Sequence, residues 1–188
     1  LAQPRVQPLD RRQGDAVGLV ALSDAATRIL PPQRGQRHLH RVFHQLEALA
    51  PGGVWPGWPR LERLFTAGGI RGLTVLVSDL CEREDEIRTV AAKLAGLRHD
   101  VAVLHIAARG DVAFAYHGPP AFEELETGRR LELDADAARA AYLERAAREA
   151  TSLRAGFAEV RVDYARFTLD QPLDLALRQY LRRRARVA

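Results

Sequence analysis

The hydrophobic pattern of the chain alternates between the two periods expected of an α/β protein. Residues 16–24, AVGLVALSD, form a near-continuous apolar run, the pattern of a strand buried on both faces. ATRIL follows after a short turn and stops at Pro31-Pro32, which reads as an antiparallel edge strand hairpinned onto the first. In RHLHRVFHQLEALA the residues Leu39, Val42, Phe43, Leu46, Leu49 and Ala50 fall at helical spacing. PGGVWPGWPR then breaks the chain ahead of a short helix over residues 61–65, and the strand at 73–79 follows. The next helix places Ile87, Val90, Ala91, Leu94 and Leu97 on one face, with Glu82, Glu84 and Asp85 in its first turn, where the helix dipole favours acids.

A second buried strand is predicted over 100–108, DVAVLHIAA. The character then changes, and AFEELETGRRLELD predicts a hairpin turning at Thr127-Gly128, an insertion near 114–134. A long helix from 135 to 157 is expected to bury Tyr142, Ala146, Ala150, Leu153 and Phe157. DYARFTLD is the last strand, and Asp170 is placed to cap the last helix, with Pro172 in its first turn. Strands that alternate with helices in this way predict an α/β domain with a largely parallel sheet over residues 14–188, preceded by an irregular segment at 1–13.

Composition narrows the function classes. The 47% hydrophobic and 28% charged fractions are those of an ordinary globular protein, and no apolar run approaches the roughly 20 residues that would cross a bilayer. A lone cysteine, Cys81, excludes an internal disulfide and any cysteine cluster, and fits a reducing cytoplasm. The net charge of +4 comes almost wholly from arginine, since Lys93 is the only lysine. Basic residues interleave with Glu except in LRRRAR, residues 181–186, which reads as a solvated last helical turn rather than a nucleic-acid arm.

Several stretches resemble a bacterial family of uncharacterised proteins related to von Willebrand factor A domains and often encoded beside MoxR-type AAA+ ATPases. They are GDAVGLVALSD (14–24), ILPPQRGQRHL (29–39), RGLTVLVSDL (71–80), RHDVAVLHI (98–106), FEELETGRRLELD (122–134), AAYLER (140–145) and VDYARFTLDQPLDLALRQYL (162–181). The pairing of LETG with VDY…T…PLD is the most specific part. The resemblance implies a von Willebrand A-like, three-layer α/β/α fold, with ligands held at the carboxyl ends of the strands. Such domains often hold a metal there, through an Asp-x-Ser-x-Ser loop, a Thr from a later loop and an Asp after a later strand, all hard oxygen ligands suited to Mg²⁺.

Little of that site is kept. Asp79, with Ser78, falls where the last Asp would be, Val54 stands where the Thr is expected, and residues 1–13 hold no Asp-x-Ser-x-Ser. Those residues are also too few, and too broken by Pro4 and Pro8, for the first strand and helix. Either an upstream segment has been removed or this is a degenerate member; in both cases the central strand is missing, and closure by another segment, another chain or a rearranged pairing is expected. Asp79 is expected to be a structural relic that bonds the loop or caps the next helix.

Other candidates carry less. His40 and His44 have a zinc-compatible spacing, but HRVFH lacks the Glu of a zinc-protease motif, and both are expected in solvent. His105 inside an apolar strand reads as a hydrogen-bonded core histidine. AGGIRG lacks a P-loop's Lys-Ser/Thr and precedes a strand. Cys81 lies near a helix start but beside acids. Trp55 and Trp58, in a Pro/Gly loop, are either a packed plug or a contact patch. The leading expectation is therefore a non-enzymatic, cytoplasmic interaction domain without cofactor, with Ser23, Asp24, Trp55, Trp58, Ser78 and Asp79 as the contact surface. The resemblance implies a MoxR-type ATPase as partner, and an oligomer that completes the sheet is a further expectation. The alternative is a Mg²⁺-dependent ligand-binding domain whose other ligands lie upstream, and a hydrolase using Asp79 is a third, weaker class.

Overall fold

The structure is a computed structural model that describes residues 14–22, 27–50, 52, 58–66, 72–80, 83–114, 121–123, 130–132 and 135–185. The chain divides into two compact units, Leu1–Arg63 and Leu64–Ala188. In the first, β1 (Val17–Ala21) pairs antiparallel with β2 (Arg28–Gln33), the hairpin that the sequence predicts. The second strand runs through Pro31-Pro32 instead of stopping there, and the register shifts between Val17 and Leu19. Gly18 permits this irregularity, because a Cβ on it would lie 2.9 Å from the Leu30 carbonyl oxygen and 3.1 Å from the Pro32 ring.

The expected double-sided burial of the first strand is not found. Val17 is 42% exposed and no residue of β1 is buried. Among the described residues β1 has β2 as its one neighbour, so its apolar run has pairing on one side alone. Helix α1 (Gln36–Glu47) follows Gly35, which takes the left-handed φ of 103°. Val42 is buried as the periodicity requires, whereas Phe43, Leu46 and Leu49 are exposed. The other buried residue of α1 is His38, whose Nε2 lies 2.8 Å from the Val17 carbonyl oxygen and ties the helix to the hairpin. His40 and His44 are exposed, as expected. Helix α2 (Trp58–Thr66) crosses the boundary between the units and buries Leu61.

The second unit is built on three parallel strands in the order β3 (Leu73–Ser78), β4 (Asp100–Ala107), β7 (Asp163–Thr168). The crossover from β3 to β4 is α3 (Glu84–Gly96); that from β4 to β7 contains α4 (Arg109–Ala113), the hairpin β5 (Ala121–Glu123)–β6 (Arg130–Glu132) and α5 (Ala135–Glu159). Each strand is added on the same side of its predecessor, so right-handed connections place α3 and α5 together on one face. They meet closely at Gly156, where a Cβ would lie 3.0 Å from Arg88 Nη1. Helix α6 (Leu173–Arg184) covers the opposite face, which makes three layers.

Alternation along β4 feeds both cores. Val101 and Val103 are buried with Ile87, Val90, Ala91 and Leu94 of α3 and with Phe157 of α5, whose ring stacks on Tyr164 with centroids 5.2 Å apart. On the other face Ala102, Phe167 and Tyr180 form a cluster joined by Leu104, Ile106, Ala165 and Ala176. Both crossover helices end with an arginine in the left-handed region: Arg98 (φ 65°) and Arg161 (φ 58°). There the amides of His99 and Val162 bond back to the carbonyls of Leu94 and Phe157, closing each helix in the manner usually reserved for glycine.

Two expectations about α6 are corrected. Its N-cap is Pro172 with no side-chain capping bond, and Asp170 pairs instead with Arg109 Nε at 3.7 Å. The arginine-rich last turn is not merely solvated. Arg184 is held between the amino ends of β4 and β7: it bonds Asp100, lies 3.0 Å from Asp163 Oδ2, and lies 3.4 Å from the Tyr180 hydroxyl, which itself donates to Asp163 at 2.7 Å. Hydrogen bonds to Asp100 first, and also to Tyr180 and Asp163, push the guanidinium pKa upward against its burial.

Candidate functional site

The carboxyl ends of β3 and β4 bring Ser78 and Asp79 beside His105. In register Ser78 lies opposite His105, and Tyr164, from β7, approaches on the same face. The chain leaves β3 through a tight turn. The Ser78 hydroxyl oxygen accepts the Leu80 amide at 3.0 Å, and Leu80 takes a φ of 59° with its side chain 2% exposed. A buried leucine in the left-handed region is an unusual conformation, held here by the Ser78 bond and by the Arg83 amide, which donates to the Leu80 carbonyl at 3.3 Å. Asp79, between them, is exposed. The N-cap position of α3 is Arg83, which makes no side-chain capping bond.

His105 behaves as the sequence suggests, bonded rather than free. Its Nδ1 lies 2.7 Å from the Tyr164 hydroxyl, and it also hydrogen-bonds the Asp79 main chain. Burial lowers the imidazole pKa, Arg166 lowers it further, and Asp79 with Glu149 of α5 oppose the shift. At neutral pH the ring is therefore uncharged, and its role is to fasten the Asp79 turn to β7. Burial also raises the Tyr164 pKa, so its phenol stays protonated as a hydrogen-bonding partner.

Across the carboxyl edge, Arg109 and Asp170 form an exposed ion pair worth little in water, and the Leu169 amide bonds the Ala107 carbonyl at 3.1 Å. Two shallow grooves run between α3 and α5 or beside α3; one is lined by Glu84, Asp85, Arg88, Glu149, Ser152 and Leu153, the other by Arg88, Thr89, Ala92, Lys93 and Val160. Among the described residues no group of three or more His, Cys, Asp or Glu stands together so as to hold a metal ion, and no helix is long and apolar enough to cross a membrane.

Of the sequence-predicted contact residues, the structure thus unites Ser78 and Asp79 at one turn. Trp58 is half-buried in the first turn of α2 and belongs to the first unit, while Ser78 and Asp79 belong to the second. Ser23, Asp24 and Trp55 lie outside the described residues, as do Val54, Cys81, Glu82, the AGGIR stretch and the tip of the 121–134 hairpin. The residues that sequence reasoning missed are Tyr164, Arg166 and Glu149, which surround His105 from elements distant in sequence. The one available signal was Tyr164 within an alternating strand, at a position whose side chain must face the same side as His105's neighbour Val103.

No curated protein and no solved structure matches this chain. A family profile does match, over residues 5–152, and its description is a protein of unknown function, DUF58; the chain belongs to that family.

Proposed function

We propose that this chain is a non-enzymatic protein-interaction domain of the von Willebrand A-like class, and that it serves as an adaptor for a MoxR-type AAA+ ATPase in the cytoplasm. The observation that carries the reading is the Ser78–Asp79 corner. An exposed carboxylate stands at the carboxyl end of a parallel strand, and the polar groups around it are committed to holding its turn: the Ser78 hydroxyl to Leu80, and His105 to Tyr164. Such a corner offers a positioned negative charge on a rigid support, which suits docking against a basic group of a partner. Open α/β sheets place their ligands at this edge. Ser23, Asp24, Trp55 and Trp58 of the first unit are proposed as further contact residues on the sequence alone, with the tryptophans as apolar anchors. The ATPase as partner rests on the family resemblance.

A second reading takes Asp79 as one ligand of a Mg²⁺ site whose other ligands lie upstream of Leu1. The exposed carboxylate favours it, because Mg²⁺ binds through one or two carboxylates and keeps several waters. Calorimetric titration of Mg²⁺ into protein that carries the residues preceding Leu1, with Asp79 and with Asp79→Ala, separates the two, because the second reading places the other ligands there. The adaptor reading expects no heat from either protein, together with capture of the purified ATPase by the immobilised chain. Heat that disappears with Asp79, without capture, supports the second reading and overturns the first.

A further inference from the structure

The amino edge of the second unit lies opposite the Asp79 corner, and it gathers arginines from three helix ends independently of any role for that corner. Helices α3 and α5 lead into the amino ends of β4 and β7, so both finish at this edge. Arg98 follows α3 and Arg161 follows α5. Each stands two residues ahead of the aspartate that opens the next strand, Asp100 of β4 and Asp163 of β7. Arg184, in the last turn of α6, bonds both of these aspartates and so fixes the third helix end against the other two.

The ends of α3 and α5 are built alike. Arg98 and Arg161 take φ angles of 65° and 58°, and their amides donate to the carbonyls of Ala95 and Ala158 at 2.9 and 3.0 Å. Glycine fills such a position without steric cost, whereas any other L-residue strains it. What the strain puts in place is charge. Both arginines are exposed, and among the described residues neither makes an ion pair. They sit on neighbouring helices, whose axes pack about 8–10 Å apart, so two like charges are held near one another without a counterion. Complementing the helix dipole does not explain this, because a cation one turn earlier would serve as well without strain.

The surroundings keep the edge positive. Arg182 and Arg183 of α6 are exposed, and Arg183 lies 3.6 Å from Asp163. Of the acids here, Asp100 and Asp163 are held by Arg184, while Glu159 of α5 stands exposed. Leu97, at the C-cap of α3 and next to Arg98, is 39% exposed. Because α3 and α5 lie on one face of the sheet and α6 on the other, the charge spreads over a broad end. Such an end has no single helix or two-stranded ribbon to enter a DNA groove. Guanidinium groups beside an open leucine fit a layer of phosphate headgroups, which arginine binds through paired N–H groups and whose acyl boundary accepts the apolar chain.

We infer that this edge rests on an anionic phospholipid surface, with Arg98, Arg161, Arg182 and Arg183 on headgroup phosphates and Leu97 at the acyl boundary. The contact is peripheral and inserts no helix. The full chain is sedimented with vesicles of phosphatidylcholine alone and with vesicles of phosphatidylcholine and phosphatidylglycerol in equal parts. Each basic residue near an anionic surface raises affinity roughly fivefold, so four bring half-binding into the millimolar range of lipid. The expected result is binding to the anionic vesicles alone, reversed by salt and weakened about twentyfold in Arg98→Gly/Arg161→Gly. Glycine relieves both left-handed positions, so this variant should melt at or above the wild-type temperature while it binds less. Absence of binding, equal binding by the variant, or equal binding to phosphatidylcholine alone overturns the inference. A lowered melting temperature does so too, since it would assign the arginines to holding the fold. Tighter binding to a DNA duplex at equal phosphate concentration would make nucleic acid the partner and likewise overturn it. None of these outcomes bears on capture of the ATPase through Asp79.

Discussion

Removing the Arg184 guanidinium should loosen α6 from the sheet by an amount that the geometry sets. The side chain is 19% exposed and joins two carboxylates of different standing: Asp163 at 30% and Asp100 at 67%. Hydrogen bonds to charged groups contribute about 1.5–3 kcal/mol when sheltered, while exposed pairs contribute about 0–1 kcal/mol. Asp100 is the closer anion, but solvent screens it, so most of the effect comes from Asp163 and the Tyr180 hydroxyl. Arg184→Met, which keeps an apolar stem, should therefore cost about 2–3 kcal/mol. For a chain of this size that lowers the melting temperature by roughly 5–10 °C. Urea unfolding with an unchanged slope would report it. Arg184→Lys keeps the charge but not the planar fork, and should recover about half of the loss. Adding Asp163→Asn to the Met variant should restore part of the stability, because it removes a carboxylate left with only the longer, more exposed contact to Arg183 at 3.6 Å. A Met variant within about 0.5 kcal/mol of wild type, the range of an ordinary surface substitution, would refute the assignment of Arg184 as the clamp.

Three further outcomes follow from the packing. His105 has a folded pKa below its ordinary value, chiefly through burial, so the unfolded chain binds the proton first as pH falls. Its contribution to stability is present above about pH 6.5 and lost on acidification below it; His105→Gln should flatten the fall in melting temperature between pH 7 and 5, and an unchanged profile would contradict the burial argument. Phe157, fully buried and stacked on Tyr164, should cost about 3–5 kcal/mol when changed to Ala, read by denaturant unfolding. Gly156→Ala should instead stabilise by about 0.5–1 kcal/mol through helix propensity, because the group it meets is the flexible tip of Arg88; a destabilised variant would show that the α3–α5 contact cannot yield.

What the sequence made legible was what depends on local period. The apolar face of α3 and the existence of β3, β4 and β7 as strands follow from neighbours within one element, and they were readable as such. Leu97 was expected to be buried but is 39% exposed, since α3 ends at Gly96 and Arg98 turns the chain away. The first apolar run looked like a strand buried on both faces, but burial needs neighbours, and β1 has β2 alone among the described residues. Arg184 looked like one cation in a solvated run; its partners Asp100 and Asp163 lie 84 and 21 residues away. His105 was legible as a bonded histidine, but Tyr164, 59 residues on, was not legible as its partner. Ser78 was read as part of a metal corner, whereas its hydroxyl holds the Leu80 turn, a role that requires the left-handed φ to be seen.

The adaptor reading is tested most directly by measuring the affinity of the chain for a purified MoxR-type AAA+ ATPase, with wild type and Asp79→Arg side by side. Asp79 is exposed, so the charge reversal leaves the fold intact, as unchanged melting would verify. The account predicts saturable binding by wild type, weakened at least tenfold by the arginine, and a wild-type association rate that falls as salt is raised. Absence of binding, or equal affinity for the two proteins, would contradict it.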